Sequence, residues 1–184
     1  MAASFHGRSA VVALLLAAPG IDVNAKSKYG NTALMSACRD DNTAVVERLL
    51  AAPGIDVNAK NNAGYPALIE ASHQGWTKIA KLLLAAPGID VNIKDNEGVT
   101  ALIEASREGR FDIAERLLAA PGIDVNAKDK GGMTALMWAR IEGHDAIAKL
   151  LLAAGRDEAL WDAYQLRYEI EGVGGIAAAG EIEF

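Results

Sequence analysis

The sequence predicts an all-α solenoid of stacked helix-turn-helix units joined by short β-hairpin-like loops. Two observations carry that expectation. The string LLAAPGIDVN recurs four times, with prolines at Pro19, Pro53, Pro87 and Pro121, and each step is 34 residues. A fixed period of this length marks a stacked repeat architecture. Within each period, two apolar stripes at helical spacing are separated by a turn, and neither is long enough to bury its own face.

The unit from Asp95 to Lys128 illustrates the elements in order. Asp95-Asn96-Glu97-Gly98 has turn composition. Thr100 is placed to cap a short first helix that runs to Arg107 and ends at Gly109. Phe111 to Ala120 forms a second helix, with Ile113, Ala114, Leu117 and Leu118 on one stripe. Pro121-Gly122 stops it, and Ile123-Asp124-Val125-Asn126 leads into the next turn. Ala33, Ala67, Ala101 and Ala135 are small enough for adjacent helices to approach closely. Asp41 stands where Gly75, Gly109 and Gly143 recur, and Pro66 replaces the capping threonine.

The expected division is a repeat array over 1–156, with a partial first unit (1–26) and units 27–60, 61–94, 95–128 and 129–156. A capping helix over 157–171 and a Gly-rich acidic tail over 172–184 follow. Met1 falls in register with Met35, halfway into a first helix. Ala10, Val11, Leu14 and Leu15 are therefore expected to leave apolar surface unpaired at that end. Arg8 followed by an apolar run imitates a secretion signal, but the same pattern recurs inside the chain, which makes it a structural unit.

The net charge is −6, and all of the excess falls in residues 157–184; the array itself is neutral. A neutral body offers no field for phosphate, so nucleic acid is not expected as a partner. No apolar run reaches the length of a membrane span, so no membrane contact is expected either. The one cysteine, Cys38, excludes an intramolecular disulfide and points to an intracellular, cytoplasmic location. It is expected to be a small structural residue. His6, His73 and His144 lie in different units, and His144 reads as structural. Glu70 and His73 lie one helical turn apart, but two donors on one helix do not make a metal site. No catalytic constellation, phosphate loop or cofactor motif is present, so neither an enzyme nor a cofactor is expected.

These residues resemble the ankyrin repeat family. Thr32-Ala33-Leu34-Met35, Thr100-Ala101-Leu102-Ile103 and Thr134-Ala135-Leu136-Met137 stand where the family has Thr-Pro-Leu-His. Asp22-Val23-Asn24 and its three copies match the family's closing motif. Alanine replaces the family's proline and an apolar residue its histidine, so the hydrogen bonds of that histidine do not carry over. The resemblance implies a protein or peptide partner bound through the concave face and the hairpin tips. The tip positions expected to face outward include Tyr29, Asn31, Tyr65, Val99 and Met133. On the first helices they include Arg39, Glu70 and His73, then Glu104 and Arg107, then Trp138 and Ile141. The units differ mainly at these positions. Tyr65, Val99, Met133 and Trp138 form an apolar run expected to anchor the partner, with Glu70, Glu104 and Arg107 as its polar surround. Trp76 is expected to pack between units. A regulatory or scaffolding fragment of a longer multidomain protein, or an engineered repeat scaffold, are the other readings. Self-association through the acidic tail is a further expectation.

Overall fold

The computed structural model describes residues 2–154; the expected capping helix (157–171) and acidic tail (172–184) lie outside the described residues. Among the described residues, ten helices follow one another as five pairs: α1 (Ala2–Phe5) and α2 (Ser9–Leu16), α3 (Ala33–Arg39) and α4 (Thr43–Leu50), α5 (Ala67–Gln74) and α6 (Thr77–Leu84), α7 (Ala101–Arg107) and α8 (Phe111–Leu118), α9 (Ala135–Ile141) and α10 (Asp145–Ala153). The first helices α1, α3, α5, α7 and α9 pack side by side in one row, and the second helices in another. Among the described residues there is no strand. The hairpin-like loops contribute one isolated bridge, Lys60 to Pro66. Among the described residues, no helix is long and apolar enough to cross a membrane.

Three first helices, α3, α7 and α9, start at a capping threonine. Thr32, Thr100 and Thr134 accept from the backbone N–H of Met35, Ile103 and Met137, each at 3.3 Å. Pro66 has no side chain to do this. The second helices end at Leu50, Leu84 and Leu118, short of Pro-Gly by two residues. The N–H groups of Ala51, Ala85 and Ala119 turn back to the last helical carbonyls and close the turn before the proline is reached.

The core is one continuous strip. Ala67, Ala101 and Ala135 are buried where first helices meet, as expected, whereas Ala33 is only half-buried. Leu49, Leu83, Leu117 and Leu151 are buried where second helices meet. The same register position in α2 is Leu15, which is 44% exposed, and Val11, Leu14 and Ile21 are exposed beside it. The expected unpaired apolar surface is therefore present at this end.

Three sets of hydrogen bonds, two from side chains and one from the backbone, tie neighbouring units together. In the closing motif, Asn58 Nδ2 donates to the Gly88 carbonyl (2.7 Å) while its Oδ1 accepts from Asp90 N–H (2.9 Å). Asn24 and Asn92 do the same one unit away on either side. The repeated Asn is thus an inter-unit clip. At the tips, Asn62, Asn96 and Lys130 donate their N–H groups to the carbonyls of Tyr29, Ala63 and Glu97. At the start of the second helices, unlike side chains do one job. Asn42 reaches back to the carbonyls of Ser4 and Phe5, Trp76 Nε1 to Arg39, Arg110 to His73, and His144 Nε2 to Arg107. Trp76 therefore packs between units as expected, and His144 is structural.

Asp41 adopts φ 53° at the helix junction where Gly75 has φ 82°. It is the one non-glycine residue with positive φ among those described. Aspartate tolerates this region better than most residues but still bears some of the Cβ penalty. Asp41→Gly is expected to stabilise the fold by about 0.5–1 kcal/mol. The weak contact from Thr43 Oγ1 at 3.4 Å is all that the change removes from its side chain. A urea midpoint that stays put or falls would show that the junction carries no strain.

Candidate binding surface

Corresponding tip and first-helix positions recur every 34 residues, but they are not equally exposed. In each hairpin tip the first side chain nucleates the turn. Asn61 Oδ1 accepts from the N–H groups of Ala63 and Tyr65, and Asp95 Oδ1 from those of Glu97 and Val99. These Asx turns fix the residue that precedes the helix cap. In two units the side chain of that residue turns inward. Val99 and Met133 are buried, at 6% and 7% exposure. They do not face solvent as the sequence reading expected; they pack under the tips. Tyr65 is half-buried against the core, and so is Trp138.

Glu104 departs further from expectation. It is fully buried, not part of an exposed polar surround. Its carboxylate gathers groups from two adjacent units: Tyr65 OH donates to Oε1 at 3.0 Å, His73 Nδ1 lies 2.7 Å from Oε1, and Arg107 Nη2 donates to Oε1 at 2.8 Å. Arg107 Nη2 also stands 2.7 Å from Oε2 as an ionic contact without hydrogen-bond geometry. A buried carboxylate needs this company, because an unpaired charge away from water is very costly. Arg107 lies 5.7 Å over the Trp138 ring, and Trp138 Nε1 donates to Asp129 Oδ2 at 2.9 Å. The apolar anchors expected at Tyr65 and Trp138 are thus held by their polar ends within the array. Burial first, and the Glu104 charge next, push the Tyr65 phenol well above its ordinary pKa, so it remains a donor.

The remaining candidates keep access to solvent. Tyr29 is 63% exposed, with Lys28 Nζ 4.8 Å from its ring centroid. Arg39 is exposed and lies 5.5 Å over the Phe5 ring. Asn31, Glu70, His73, Arg107 and Ile141 are half-exposed. Asn31 Oδ1 accepts from Asn61 Nδ2 at 2.9 Å, which joins two tips. Glu70 Oε1 accepts from Gln74 Nε2, so the Glu70–His73 pair is not a joint site. His73 instead turns to the next helix.

Cys38 is fully buried. Burial, reinforced by the Glu70 charge, pushes its thiol far above the ordinary range, so it stays protonated and structural.

The stacked helix pairs, capped by threonine and clipped by asparagine, define a helical repeat solenoid. The family model described as ankyrin repeats (3 copies) matches residues 1–95, 54–129 and 87–160. The chain belongs to the ankyrin repeat family. Ankyrin repeats are generally protein–protein interaction modules. No curated protein matches the chain.

Sequence reasoning missed the inter-unit contacts because their partners lie 30 to 39 residues apart. A signal existed: in an array of period 34, any side chain near the end of one first helix faces residues about one period later.

Proposed function

We propose that this chain is a binding module without catalysis of its own, engaging a partner protein or peptide along the row of first helices and the adjoining tips. One observation carries the reading. The apolar core positions are near-copies, while those that keep solvent access on the first helices vary from unit to unit. Leu49, Leu83, Leu117 and Leu151 recur unchanged in the core. The half-exposed or exposed series Arg39, His73, Arg107 and Ile141 holds three residue types in four units, and so does Asp40, Gln74, Glu108 and Glu142. Packing imposes no such variety on a solvated face, whereas recognition of one asymmetric partner does. The chemistry of this face is mixed in sign, which fits a polypeptide better than a phosphate backbone. The buried free thiol of Cys38 supports a reducing, cytoplasmic setting.

The test compares two faces of one molecule. The paired substitution Arg39→Ala and Ile141→Ala alters the first-helix row, and Lys78→Ala with Lys81→Ala alters exposed positions on α6. Both should fold normally by circular dichroism. The first pair is expected to weaken partner capture about fivefold or more, the second to leave it unchanged. Loss of capture in the second pair alone would place the interface on the opposite face.

A further inference from the structure

We propose that His73, Glu104 and Glu108 form a site for a divalent transition-metal ion of the zinc type, bridging the end of α5 to the end of α7. This inference does not rest on the binding role above. His73 Nδ1 lies 2.7 Å from Glu104 Oε1 and 3.7 Å from Glu108 Oε1. One donor atom from each of the three residues lies within 4.8 Å of the others. An ion held ~2.1 Å from three donors at tetrahedral angles spaces them ~3.4 Å apart. The observed separations straddle that value. His73 and Glu108 are half-exposed, so small side-chain rotations reach it without shifting either helix. One imidazole and two carboxylates suit zinc and its neighbours, with a fourth position left for water.

Two further observations support the site. Glu104 is fully buried, and its Oε2 accepts no hydrogen bond, being met by Arg107 Nη2 at 2.7 Å as an ionic contact. Its lone pairs are therefore open to a metal ion that takes the place of that guanidinium. Tyr65 OH donates to Oε1 at 3.0 Å, the place of an orienting partner behind a ligating carboxylate. The donor set also belongs to a single junction. The corresponding residues are Arg39, Glu70 and Gln74 one unit earlier, and Arg107, Trp138 and Glu142 one unit later.

Arg107 is the built-in competitor. Its guanidinium contacts both oxygens of Glu104, and its Nε stands 3.5 Å from Glu108 Oε1. A metal ion replaces it as the counter-charge, while the Trp138 ring remains beside it. The site therefore binds more weakly with Arg107 present than without it.

The experiment is a calorimetric titration of the chelator-stripped full chain with zinc chloride, paired with thermal melts. A single saturable site that raises Tm is expected. His73→Ala and Glu108→Gln should each weaken zinc binding at least ~10-fold while leaving the metal-free circular dichroism spectrum unchanged. Arg107→Gln should tighten it. Magnesium, which favours octahedral oxygen ligands, should not compete. The proposal is overturned if no saturable binding occurs, or if wild type and His73→Ala bind zinc equally, which would place the ion elsewhere on the chain. Weaker binding by a folded Arg107→Gln would also overturn it. Should that variant fail to fold, the His73 and Glu108 comparison decides alone.

Discussion

Leu83→Ala is expected to destabilise the array by about 3–5 kcal/mol, while Leu15→Ala costs under ~1 kcal/mol. The two leucines hold the same register position, but their surroundings differ. Leu83 is fully buried, on a helix packed between α4 and α8. Truncating it opens a cavity at two inter-unit contacts at once. Leu15 is 44% exposed, so its removal forfeits little burial. In a linear array, stability is the sum of unit and neighbour terms. Weakening both contacts of a central unit should therefore also broaden the urea transition, as the two flanks begin to unfold separately. Equal losses at Leu15 and Leu83 would show that the inter-unit contacts contribute little beyond each helix pair itself.

The elements that were legible in the sequence are those fixed by short-range chemistry. Thr100 caps its helix, the 34-residue period sets the stacking of successive units, and Ala101 allows close approach; each follows from a local motif or its exact recurrence. The candidate surface was legible only in part. Val99 and Met133 sit one residue before a capping threonine, where family geometry placed them outward. Their burial follows from the Asx turn that holds their N–H groups on Asp95 and Asp129, a contact that composition alone does not orient. Glu104 departs from the outward placement that the family's first-helix pattern implies, and glutamate is seldom buried. Its burial depends on Tyr65 and His73 from the preceding unit as well as Arg107 beside it, so two of its three partners lay beyond any local window. Trp76, Arg110 and His144 share one role with no common chemistry except a donor N–H, which left no repeated letter to read.

Gly64→Ala is the second substitution with a large expected effect, about 3 kcal/mol, and the reason is again a neighbouring unit. Gly64 has φ 77°, which alone costs an alanine ~1–2 kcal/mol. A Cβ at this position would stand 2.5 Å from the backbone nitrogen of Asn96 and 2.3 Å from its Oδ1. Asn96 N–H donates to the Ala63 carbonyl at 3.3 Å, so relieving the clash pushes one tip off the next and breaks that bond. The amide of Asn96 cannot rotate the problem away, because the obstructing nitrogen is main chain. Gly88 provides the control. It has nearly the same φ, 76°, and an added Cβ there meets nothing within 4 Å among the described residues. Gly88→Ala should therefore cost only the conformational part, ~1–2 kcal/mol. Denaturant unfolding of the two variants separates backbone strain from tip stacking. If both lose the same amount, the close approach of adjacent tips contributes nothing to stability, and the ladder of tip hydrogen bonds follows from the packing of the helices beneath it.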